Sequence, residues 1–113
     1  MSDTSRNKRR HFRLRYPATD RPTLRMGEQD FQVWEISEGG LQFARIGDVN
    51  FEIGTAVAGS ITFHDGQVVN IAGVIGRLQP PVNIIVQLEG IDFARMVKEQ
   101  LQLRKKYPDV RSY

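Results

Sequence analysis

The chain has 113 residues, 40% of them hydrophobic, which is enough for one domain with its own core and too few for two. It has no cysteine, which excludes disulfides and thiolate metal sites, and its two histidines, His11 and His64, are a thin basis for a metal centre, so no metal and no cofactor is expected. Net charge is +3, but residues 1–15 carry six Arg and Lys against Asp3 alone and the rest sums to −2, whereas a surface for long nucleic acid spreads positive charge along a groove.

Residues 1–8 are read as a flexible basic arm, polar and unpatterned. Phe12, Leu14 and Tyr16 then alternate with Arg13 and Arg15, the period of a strand with one buried face, so the two arginines are expected on the other face. After a connection over Pro17 to Pro22, Thr23 to Met26 reads as a short strand and Gly27-Glu28 as a hairpin turn. Phe31 to Ser37 is rich in aromatic and β-branched residues and reads as the next strand, broken by Glu38-Gly39-Gly40 before Leu41 to Ala44. A loop follows, then a strand over Ala56 to Phe63, a two-residue hairpin signal at Asp65-Gly66, a strand over Val68 to Arg77 ended by Pro80-Pro81, and a last strand over Asn83 to Leu88. Strands at such short spacing predict an antiparallel sheet curled into a small barrel.

The period changes after Ile91. Asp92 is an expected N-cap, and Phe93, Met96, Val97 and Leu101 recur at helical intervals, so an amphipathic helix of about 12 to 16 residues is expected within 92–107, resting its apolar residues on the barrel. Arg104, Lys105 and Lys106 suit a helix C-terminus. The single domain is assigned to 9–107, with 108–113 as a tail. No apolar segment follows the N-terminal charges, and no run approaches the roughly 20 apolar residues that span a bilayer. A secretory signal and membrane insertion are therefore not expected, and the protein is expected in the cytoplasm.

Ser37 has no histidine nearby to activate it, the glycines lack the Gly-x-Ser-x-Gly spacing and no glycine-rich phosphate loop appears, so no catalytic residue is assigned and an enzyme is not expected. The arginine run reads as a solvated tail, as a nonspecific nucleic-acid arm, or as one wall of a compact anion site that needs a second element.

Glu35-Ile36-Ser37-Glu38-Gly39-Gly40 supplies such an element. Together with Arg9-Arg10-His11-Phe12-Arg13 it makes the chain resemble the PilZ domain, the bacterial receptor module for cyclic di-GMP. Arg9 and Arg13, with Arg10 between them, match an Arg-x-x-x-Arg motif, and Glu35, Ser37 and Gly40 match an Asp/Asn-x-Ser-x-x-Gly motif, with glutamate standing where the family has Asp or Asn. The Gly90-Ile91-Asp92-Phe93 segment and the closing helix agree with the same family. The resemblance implies a mainly β fold, a six-stranded antiparallel barrel with a C-terminal amphipathic helix. It implies cyclic di-GMP as ligand, bound by Arg9, Arg10, Arg13, Glu35, Ser37 and Gly40. The expected role is that of a single-domain receptor signalling to a protein partner in motility or biofilm regulation, and the alternative is a PilZ-like interaction module that does not bind the nucleotide. Ile75 aligns with a base-packing position of relatives but reads as core, and Trp34 is read equally as core.

Overall fold

The computed structural model describes residues 12–44 and 51–108. Seven strands and one helix follow in chain order: β1 (Arg13–Arg15), β2 (Thr23–Met26), β3 (Gln29–Ser37), β4 (Gly40–Ala44), β5 (Ala56–Thr62), β6 (Val68–Gln79), β7 (Val82–Glu89) and α1 (Phe93–Lys106). Every pairing is antiparallel, and β2 to β7 run around the sheet in the order β3-β2-β5-β6-β7-β4. The pairing of β4 back onto β3 closes the ring, giving the expected six-stranded barrel and leaving none of these strands as a free edge. β1 is a seventh, short strand laid against the last three residues of β3.

The alternation read in the first strand holds. Leu14 is fully buried while Arg13 and Arg15 are exposed on either side of it. Inside the barrel Phe31, Phe43 and Phe51 meet edge-on or tilted, with ring centroids 5.1 to 6.0 Å apart, and Ile36, Leu41 and Ile85 complete the packing. Ile75 is a core residue as expected, with no exposed surface.

Three details differ from the sequence reading. The β5–β6 hairpin closes on Phe63 and Gln67, with His64, Asp65 and Gly66 between them, so its loop is one residue longer than the Asp65-Gly66 signal implied. β6 extends to Gln79, because Leu78 and Gln79 still pair with β7 across the Pro80-Pro81 connection, whose peptide bond is cis. The helix keeps its expected cap, with the Asp92 carboxylate accepting from the Arg95 N–H at 2.8 Å, but its buried face is rotated. Arg95, Met96, Glu99 and Leu103 face the barrel, whereas Phe93 and Leu101 are more than half exposed. The reason is that the barrel end offers polar partners. Tyr16 and His64 bond Glu99, and Asp65 and Gln67 bond Arg95, so two charged residues occupy the inner face that apolar periodicity alone would leave to Phe93 and Leu101.

Candidate functional site

The wall that carries the motif residues is built by an irregularity in β3. Phe31 and Val33 point inward, which would also send Glu35 into the core if the alternation continued. Trp34 is instead an extra residue opposite β4: Val33 pairs with Phe43, and Glu35 already pairs with the next residue, Gln42. The bulge reverses the parity, so Ile36 packs inside against Leu41 while Glu35 and Ser37 face outward. β1 then sets Arg13 opposite Ser37 and Arg15 opposite Glu35. The reading of Trp34 as core is corrected by the same irregularity: its ring is half-buried on the outer wall.

Glu35 is covered by its neighbours, with its side chain 7% exposed, and its carboxylate lies 3.5 Å from Arg13 Nε and 3.3 Å from Arg15 Nε. Both guanidiniums remain about two-thirds exposed, at 66% and 64%, so they cover the carboxylate while keeping most of their own surface in solvent. The turn after Ser37 uses its two glycines differently. Gly39 holds φ at +76°, a conformation that favours glycine, whereas at Gly40 a Cβ would lie 3.2 Å from Ser37 Oγ, close enough to displace that hydroxyl, and in ordinary contact with the Ile85 carbonyl at 3.4 Å.

Arg13, Glu35, Ser37 and Gly40 line one cavity of about 380 Å³. Its far side comes from β6 and β7, where a second bulge at Gly76 turns Arg77 toward the same space, with Gln79 beyond it. Sequence reasoning missed Arg77 and Gln79; a glycine followed by a lone charge inside an apolar strand is the signal that could have found them. Arg9 and Arg10 lie outside the described residues.

A second polar cluster sits under α1. Glu99, fully buried, accepts from the Tyr16 hydroxyl at 2.9 Å and from the His64 backbone N–H at 3.0 Å, and its Oε2 lies 2.5 Å from His64 Nδ1. His64 Nε2 is 2.9 Å from Asp20 Oδ1, and the other oxygen of Asp20 takes the Tyr107 hydroxyl at 2.8 Å and Lys106 Nζ at 2.7 Å. Burial pushes the His64 pKa down, but Glu99 and then Asp20 outweigh it and hold the imidazole above its ordinary value. Burial likewise raises Asp20, yet hydrogen bonds from Lys106, Tyr107 and His64 bring it down to about 2. Burial and then the charge of Glu99 keep the Tyr16 phenol protonated well past its usual range. A carboxylate–imidazole–carboxylate chain bonded to protonated phenols fastens a helix to a barrel; the phenols it holds are poor nucleophiles. Among the described residues no group of three or more His, Asp or Glu side chains is placed to hold a metal ion, and no helix is long and apolar enough to cross a membrane.

No match was found among curated proteins or among solved structures. The family model of the PilZ domain matches residues 7–106, which takes in both arginine-bearing β1 and the Glu35–Gly40 turn as well as α1. The chain therefore belongs to the PilZ domain family, in general a family of cyclic di-GMP receptor domains rather than enzymes.

Proposed function

We propose that this domain binds cyclic di-GMP on the outer wall of the barrel, in the cavity lined by Arg13, Glu35, Ser37 and Gly40, with Arg9 and Arg10 closing over it. The observation that carries this reading is the convergence of residues from two separate motifs, Arg13 on β1 and Glu35, Ser37 and Gly40 at the β3–β4 turn, on one cavity. Guanidiniums suit both parts of the ligand, since they bond phosphate and the O6/N7 edge of guanine and stack on the purine face. The Glu35 carboxylate can accept from guanine N–H donors, and the Ser37 hydroxyl can donate or accept. Because Glu35 already engages Arg13, the ligand phosphate competes with an internal carboxylate for that guanidinium. Binding would draw the N-terminal arm onto the barrel, and a protein partner would read the ordered surface. The setting is cytoplasmic, with output in motility, adhesion or exopolysaccharide control.

Calorimetric titration with cyclic di-GMP, beside GMP and a short RNA, tests the reading. Binding that Arg13→Ala weakens by more than tenfold and Arg104→Ala leaves alone supports it. Absence of both heat and spectral change at micromolar dinucleotide overturns it. The second reading, a PilZ interaction module that does not bind the nucleotide, is favoured by one observation: the bridges from Glu35 to Arg13 and Arg15 already give both arginines an anionic partner.

A further inference from the structure

The bulge residue Trp34 and the connector residue Arg21 form a second feature on the same wall. The Arg21 guanidinium carbon lies 4.1 Å from the centroid of the Trp34 ring, a stacked cation–π pair. Arg21 Nε and Trp34 Nε1 are both buried, and neither has an acceptor among the described residues. Both nitrogens have almost no accessible surface, so an acceptor reaches them only as the stacked pair parts; unmatched N–H donors are costly to bury, and a ligand oxygen would relieve that cost. Arg21 and Trp34 line a cavity of about 290 Å³ together with Arg15, and this cavity shares Arg13, Glu35 and Gln42 with the first. Its walls therefore bring three guanidiniums against a single carboxylate.

We propose that this cavity is a second phosphate subsite, in which the stacked pair parts so that Arg21 and the indole N–H of Trp34 donate to phosphate oxygens while Arg13 and Arg15 supply the surrounding charge. Phosphate fits the chemistry better than a carboxylate. It offers more acceptor oxygens, and it balances an excess of two positive charges more fully. The carrier of the phosphate is either the far side of the nucleotide bound in the first cavity or a second nucleotide beside it. Only that choice of carrier rests on the cyclic di-GMP reading.

Trp34 is the only tryptophan of the chain, so one indole N–H resonance reports on the subsite. The ¹⁵N-labelled full chain is titrated with inorganic pyrophosphate, guanosine, GMP and cyclic di-GMP. Pyrophosphate should move the indole resonance, guanosine should not, and Arg21→Gln should weaken the pyrophosphate response at least tenfold. Trp34→Phe, which keeps a ring and loses the N–H, should lower calorimetric affinity for pyrophosphate several-fold, and it provides the test should Arg21→Gln fail to fold. With cyclic di-GMP, an indole shift that saturates at one ligand per chain identifies the far phosphate of the same ligand, and saturation at two identifies a second nucleotide; both support the subsite. A pyrophosphate shift that needs Arg21, without any heat from cyclic di-GMP, upholds the subsite and sinks the nucleotide reading. Binding of cyclic di-GMP that depends on Arg13 yet leaves the indole unmoved and Arg21→Gln unimpaired overturns the subsite alone. An indole resonance unmoved by any phosphate probe overturns it too.

Discussion

The Tyr16 hydroxyl, one residue past β1, donates to Glu99 Oε2 in α1 at 2.9 Å across 83 positions of sequence. The strand that presents Arg13 and Arg15 is thereby tied directly to the C-terminal helix, and Glu99 is the common acceptor for Tyr16 and His64. Position and stability of the arginine wall are linked through one carboxylate.

Removing that carboxylate should be severe. Glu99→Ala leaves the Tyr16 hydroxyl and the His64 backbone N–H without their acceptor and the imidazole without its closest charge. Loss of one partner from a buried charged network costs about 3–5 kcal/mol. Urea unfolding should show that loss, whereas Lys98→Ala, on the exposed face of the same helix, should change stability by less than about 0.5 kcal/mol.

Stability should depend on pH on both flanks. The His64 pKa is raised from 6.5 by Glu99 and Asp20 against the opposing effect of burial, so its contribution is complete below about pH 6.5 and fades as pH rises through the folded value. The Asp20 pKa is lowered from 3.8 to about 2, so its contribution is present above 3.8 and is lost as pH falls toward 2. Glu99, Lys106, Tyr16, Tyr107 and Arg95 are the other charged or titratable groups around this chain of contacts. Unfolding midpoints measured across that range should therefore form a plateau between roughly pH 4 and 6.5. His64→Gln should lower the plateau and flatten its alkaline side; an unchanged alkaline slope would show that another group sets it.

Glu35→Asp should tighten cyclic di-GMP binding several-fold. A carboxylate one methylene shorter cannot keep both the 3.5 Å and 3.3 Å approaches to Arg13 and Arg15 without backbone movement, so Arg13 becomes easier to recruit. Calorimetry at two salt concentrations checks this, since release of an exposed guanidinium to a phosphate also steepens the salt dependence. Equal or weaker affinity in the variant would mean that the bridges do not restrain Arg13.

The two turn glycines should fail in different ways. Gly39→Ala places a side chain at φ +76° with no protein neighbour to displace, so it should cost about 1 kcal/mol of stability and, at the margin of the same cavity, lower affinity less than Gly40→Ala does. Gly40→Ala should cost little stability, because the Ser37 hydroxyl can rotate away from a Cβ 3.2 Å distant, but that rotation should lower nucleotide affinity. Paired unfolding and titration curves separate the two effects.

Much of this architecture was written in local patterns. The alternation of Phe12, Leu14 and Tyr16 with Arg13 and Arg15 gave the face on which the arginines stand, and Gly27-Glu28 and Glu38-Gly39-Gly40 gave two hairpins, since each depends only on neighbouring residues. What stayed hidden depends on partners distant in sequence. Glu99 reads as a solvated helix residue until Tyr16 and His64 are brought over it, and Arg95 until Asp65 and Gln67 are. Arg77 becomes part of the motif cavity only because β6 pairs with β7 beside β4. Trp34 looks like core because a bulge is defined by the strand opposite and leaves no composition of its own.

That bulge also separates the length of β3 from its chemistry, because Trp34 is surplus to the ladder with β4. Position 34 can change its side chain while the core and the outer wall keep their assignments. Deleting the residue would join Val33 directly to Glu35 and restore regular alternation, so Glu35 and Ser37 would still face outward and Ile36 would still pack inside against Leu41. Tolerance to substitution at this point of the chain should therefore coexist with tolerance to loss of the one extra residue, whereas a deletion at Gln32 or Ile36, where the ladder is regular, would shift the register of its neighbours.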